Sequence, residues 1–207
     1  SEISSNDKSK KNQMGKIVDP LSALNLMGIK QHATFAYLLL RLCINSHKGN
    51  SEKPLLGIKV AVDVFNMLEK FHFLYNGLFK MPTNAIVRIY DKAVDRITME
   101  TMEDDEGNTD RINKKKNEIR GILKDMENDF KNLLEKRGVD EDNFIEKFKS
   151  LKYVEGKRST ALNGQDYFTM RSFEPASGDN RIVKYVLSKY QPNLQGKPGD
   201  FVNIEHI

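Results

Sequence analysis

The sequence predicts a mainly α-helical fold: a helical core of about six helices, room for a small β-hairpin near the C-terminus, and extended terminal arms. Three observations carry this reading. Apolar residues recur three and four apart along most of the first 150 or so positions. Gly, Pro, Asp and Asn stand where those runs break. A chain of 207 residues, 39% hydrophobic and 30% charged, has the composition of a globular domain.

Taken in order, residues 1–18 read as a flexible basic arm, because Ser, Asn, Asp and Lys dominate and little apolar surface offsets the entropy of ordering. The stretch Ser1 to Lys16 has no apolar centre, so neither a signal peptide nor a membrane anchor is expected there. The helical core is expected over residues 19–151. Asp19 as N-cap and Pro20 at the first helical position open it, Leu21, Leu24 and Leu26–Met27 give an apolar face, and Gly28 closes it. Lys30 to Lys48 is apolar nearly all round and belongs in the middle of a core. Its longest apolar run, Ala33 to Ile44, is interrupted by Thr34 and Arg41 and is far shorter than the roughly 20 residues of a membrane span.

A second apolar helix is expected from Leu55 or Ile58 to Phe79, stopped by Met81-Pro82-Thr83. From Asn84 to about Met102, Ile86, Ile89, Tyr90, Ala93, Val94 and Ile97 keep helical spacing. After an acidic turn at 103–110, Ile112, Ile119, Ile122, Leu123, Met126, Phe130, Leu133 and Leu134 hold one stripe until Gly138. Asp140 then caps a shorter helix through Leu151, with Val139 and Phe144 at hydrophobic-staple positions. Residues 152–207 form a basic C-terminal region. The Asn163-Gly164 turn signal suggests a hairpin over 158–173, or else another helical turn. Asp179 caps a last helix through Tyr190, and Pro192 begins an extended tail.

Several chemistries lack their residues. The four histidines His32, His47, His72 and His206 stand at no helical ligand spacing, and Cys43 is the single cysteine, so no structural metal site or disulfide is expected. The acids of the 103–110 turn do not fall at the alternating positions of a calcium loop. No glycine-rich phosphate-binding fingerprint is present, and no cofactor is expected. Asp91 and Asp95 share a helix face, but Arg88, Lys92 and Arg96 interleave with them as in a surface charge network. The pair Arg41 and His47 resembles, in spacing alone, the Arg-to-His pair of the helical HEPN ribonucleases. That resemblance implies metal-independent RNA cleavage by general acid–base chemistry, and it departs from the family at Leu42, where a polar residue is usual.

Charge is segregated along the chain. Residues 1–97 carry 14 Lys and Arg against 8 Asp and Glu, residues 98–146 carry 9 against 15, and residues 147–197 carry 10 against 4. Such alternation favours association with a polyanion or between neighbouring copies. In the last quarter cations interleave with aromatics: Lys147, Lys149, Lys152, Tyr153, Lys157, Arg158, Arg171, Arg181, Lys184, Tyr185 and Lys189. Cations neutralise phosphates and rings stack on unpaired bases, which is how single strands are held without sequence preference. The expectation is a non-enzymatic protein that forms oligomers through its terminal arms and binds single-stranded nucleic acid, RNA foremost, as nucleocapsid and coat proteins do, within a cell or a virion and with no membrane. Lysine outnumbers arginine 24 to 9, a bias expected of AT-rich genomes such as those of many viruses, phages, protists or Firmicutes. The alternatives are a helical adaptor with protein partners only and, more remotely, the Arg41/His47 ribonuclease.

Overall fold

The computed structural model describes residues 15–44, 54–102, 108–151 and 179–190. The chain divides into two units, Ser1–Leu151 and Lys152–Ile207. The described residues are mainly helical, and no strand occurs among them. The hairpin expected at 158–173 lies outside the described residues.

Helix α1 covers residues 15–26 and so begins a turn before Asp19, where the caps had suggested. Ile17, Pro20, Leu24 and Met27 fall three, four and three apart and are all buried, and burial of Ile17 draws the helix upstream. Pro20 therefore sits inside the helix. Its missing N–H leaves the Lys16 carbonyl without its usual donor, at an exposed position that solvent can serve. Gly28 ends the helix at φ 77°: its N–H donates to the Asn25 carbonyl and that of Ile29 to the Leu24 carbonyl, both at 2.9 Å. This left-handed closure favours glycine.

Helix α2, Ala33–Ile44, begins three residues after the expected Lys30, the expected stretch beyond Ile44 lies outside the described residues, and the helix is not buried all round. Phe35, Ala36, Leu39, Leu42 and Cys43 face inward, whereas Tyr37 is 69% exposed and Ile44 45%. The helix packs on α3 and α4 along one side only, so its apolar sequence exceeds what that contact buries.

Helix α3, Ile58–His72, runs directly into a wider π-helical turn, Phe73–Leu78, where one helix to Phe79 was expected. The widening is visible in the Phe79 N–H, which donates five residues back to the Leu74 carbonyl at 2.9 Å. Lys80 then takes a left-handed φ of 53°, and the chain turns at Met81-Pro82-Thr83 as the proline dictates.

Helix α4, Asn84–Met102, and α5, Thr109–Lys136, make the most extensive helix contact. Asn108 caps α5 by accepting from the Asp110 and Arg111 N–H groups at 3.0 and 3.2 Å. The two helices run antiparallel, because Arg96 pairs with Asp125 at 2.7 Å and Lys92 with Asp129 at 2.9 Å. Gly138, at φ 66°, closes α5 with the same bonding pattern as Gly28. Helix α6, Glu141–Lys149, starts at Asp140, whose carboxylate accepts from the Asn143 N–H at 2.8 Å, and it packs on the π-helical turn. Helix α7, Asp179–Tyr190, belongs to the second unit.

At the centre of the first unit lies an aromatic cluster with a polar group inside it. Phe71 stacks on Tyr75 at 5.2 Å and meets Phe130 at 4.1 Å, and Phe35 lies 5.6 Å from Tyr90. His72 is fully buried among them. Its Nδ1 is 2.6 Å from Asn76 Oδ1, and its Nε2 is 2.7 Å from the Tyr90 hydroxyl. The Asn76 amide donates to the Met81 carbonyl at 3.3 Å, which leaves Oδ1 as the acceptor facing His72. Nδ1 therefore carries the imidazole proton, and Tyr90 donates to Nε2. Neutral His72 is satisfied at both nitrogens in this arrangement. Burial pushes its pKa down to about 4 and raises that of Tyr90.

Candidate nucleic-acid interface

Eleven residues were candidates for contact with nucleic acid, and they fall into three groups. Lys147 and Lys149 are exposed at the C-terminal end of α6, where a cation also complements the helix dipole. At about 100° per residue they project about 200° apart, on either side of the Phe144–Phe148 ridge, so the helix does not join them into one surface. The ridge is formed by two half-buried rings stacked at 5.7 Å. Lys152, Tyr153, Lys157, Arg158 and Arg171 lie outside the described residues.

The third group is on α7. Arg181, Lys184, Tyr185, Ser188 and Lys189 recur three, four and one apart, which gathers them along one stripe. Val183, Val186 and Leu187 are half-buried on the other side of the helix, and the buried Ile182 stands at the boundary, seven residues before Lys189. The amphipathic spacing thus turns Arg181, Lys184 and Tyr185 away from Val183, Val186 and Leu187, with Lys189 at the edge beside Ile182. Arg181 and Lys189 are exposed, while Lys184 and Tyr185 are half-buried. Lys189 Nζ lies 5.7 Å from the centroid of the Tyr185 ring, a cation–π distance that places positive charge beside an aromatic face.

Part of the acidic middle block is paired within the chain. Asp125 and Asp129 are committed to Arg96 and Lys92 within the same chain, and Glu127 pairs with Lys131 at 2.7 Å. The Asp91/Asp95 face is part of this exposed charged surface. Among the described residues no group of His, Cys, Asp and Glu could hold a metal ion. No helix among them is long and apolar enough to cross a membrane.

A groove of about 490 Å³ runs between α3 and α5. Phe71 and Phe130 form part of its floor, and its rim carries Asp63 and Lys70 from α3 with Glu127 and Lys131 from α5. Two anions balance two cations there, so the groove offers a polyanion no net attraction. Arg41 of the ribonuclease-like pair is exposed at the end of α2, and His47 lies outside the described residues. Cys43 is buried and its thiol is pushed up to about 11 by that burial, against the reactive reading of a free cysteine.

Sequence spacing missed one arrangement. His32, at the entry to α2, and His72, at the end of α3, are remote in sequence, yet their ring centroids stand 6.5 Å apart. The only local signal was His72 between Phe71 and Phe73 with an amide four residues on at Asn76, which marks a polar group on a buried stripe. Compared with protein-family models, with curated proteins and with solved structures, the chain matches none.

Proposed function

We propose that this chain is a non-enzymatic, oligomer-forming structural protein that binds single-stranded nucleic acid, RNA foremost, in the manner of nucleocapsid and coat proteins. The observation that carries the reading is the α7 stripe, in which Arg181, Lys184 and Lys189 run beside Tyr185 and opposite the half-buried Val183. Cations on such a stripe exchange their counterions for phosphates, and an aromatic ring beside them offers a face for a base. The mixed-charge groove between α3 and α5 supports no competing polyanion site. Self-association draws on the acids that α4 does not neutralise, such as the exposed Glu141, Asp142 and Glu146 of α6.

Fluorescence anisotropy with a labelled single-stranded RNA across a salt series tests this. Binding that is firm at low salt and declines steeply as salt rises is the expected result. Absence of binding at low salt ends the proposal. A second reading, a helical adaptor with protein partners only, is favoured by the 69% exposure of Tyr37 on the outer face of α2. It predicts that Tyr37→Ser abolishes a protein complex while RNA affinity is unchanged or absent throughout.

A further inference from the structure

The buried imidazoles take no part in the proposed binding surface, and their geometry says what they do instead. His72 is fully buried with both ring nitrogens engaged, and His32 is 9% exposed with its Nδ1 buried and unpartnered. His32 also anchors α2, since its carbonyl accepts the Ala36 N–H at 2.8 Å. A second proton on His72 would make Nε2 a donor toward Tyr90, whose hydroxyl hydrogen would then need a new acceptor in the core. A proton on each ring would also set two positive charges 6.5 Å apart in an apolar interior.

We propose that the His32–His72 pair is an acid-released latch: protonation of the pair frees α2 from α3 and α4 and exposes its apolar face, while the α4–α5 pair stays closed. The elements meeting at the pair supply His32 from the α1–α2 turn, Phe71 from α3, Asn76 from the π-helical turn, and Tyr90 from α4. Among the described residues of the unit, the other buried charged side chains are Glu69, one turn before His72 on α3, and Lys115 on α5, and each is engaged in an interaction of its own. Burial lowers the proton affinity of both histidines, and for His72 the neighbouring charge of His32 lowers it further. Neutral rings therefore hold the closed state, and acid opens it. The α2 helix is the element to yield, because it packs along one side only, whereas α4 and α5 are joined by the most extensive contact and by two ion pairs.

The chain carries its own reporter, since its one cysteine, Cys43, is 3% exposed on the inner face of α2. The test follows the rate at which 2,2′-dithiodipyridine labels Cys43, referred at each pH to the urea-unfolded chain. Between pH 7 and 5 the relative rate should rise by about tenfold per pH unit for each linked proton. His72→Gln and His32→Gln, which cannot titrate, should each flatten that rise, and Glu69→Gln should leave it in place. A rise that is unchanged in both histidine variants, or abolished by Glu69→Gln alone, overturns the latch. Should His72→Gln fail to fold, the histidine ring ¹³C signals of the unaltered protein decide the matter. Their titration together with Cys43 exposure supports the proposal, and titration near pH 6.5 with Cys43 still closed refutes it.

Discussion

The His72 centre and the α7 stripe are both polar arrangements built on helices, and they use polarity in opposite ways. In the first, every polar atom of the imidazole is matched to a named partner out of reach of water, so the arrangement specifies the packing of α3, the π-helical turn and α4. In the second, cations and a ring are gathered on the face of α7 opposite Val183, Val186 and Leu187. Buried polarity that is satisfied internally has nothing left to offer a ligand. Polarity displayed at a surface contributes little to folding. The comparison teaches that in this chain the residues which hold the fold and those which would bind nucleic acid are separate sets, so each can be broken without the other.

The largest expected effect is on the buried side. His72→Ala leaves Asn76 Oδ1 and the Tyr90 hydroxyl without partners beside a cavity, and urea unfolding should record a loss of roughly 3–5 kcal/mol. A loss under about 1 kcal/mol would break the contrast between the regions.

Next comes pH. The pKa of His72 is about 4 in the folded chain against 6.5 ordinarily, so the unfolded chain binds more protons between those values. Its contribution to stability is complete above about pH 6.5 and is lost as pH falls toward 4. Urea curves should show a loss of about 2 kcal/mol between pH 7 and 5, and equal stability at both would contradict the assignment. On the exposed side, Tyr185→Ala should weaken single-stranded RNA binding by about 1 kcal/mol or more, roughly fivefold, with the unfolding midpoint nearly unchanged. The smallest effect belongs to the exposed Arg96–Asp125 pair, where Arg96→Ala should cost less than about 1 kcal/mol, with most of that removed by salt.

What the sequence made legible was local. The stripe and boundaries of α4, the cap at Asp140 and the glycine closures at Gly28 and Gly138 each depend on residues within a turn of one another. The helical class follows from the same signals. The start of α1 was misread because Asp19-Pro20 is a strong local start signal, and burial of Ile17 outweighs it. The exposure of Tyr37 was hidden because an apolar helix does not announce how many neighbours it will have. Nor does an α-helical pattern reveal a π-helical turn at Phe73–Leu78, or that Lys115 on the α5 stripe is buried. Those depend on contacts across the fold, as do the Arg96–Asp125 and Lys92–Asp129 pairs that neutralise part of the acidic block. Of the candidate interface, the α7 stripe was readable from its spacing, whereas the separation of Lys147 from Lys149 follows from the turn angle of α6.

The claim that α7 meets phosphates is tested most directly by the salt dependence of RNA binding in the Arg181→Glu, Lys189→Glu double variant beside the unaltered chain. Each phosphate contact to a single strand adds about 0.7 to the slope of log affinity against log salt, so the account predicts a slope shallower by about 1.4 with the fold intact. An unchanged slope in a folded variant would contradict it.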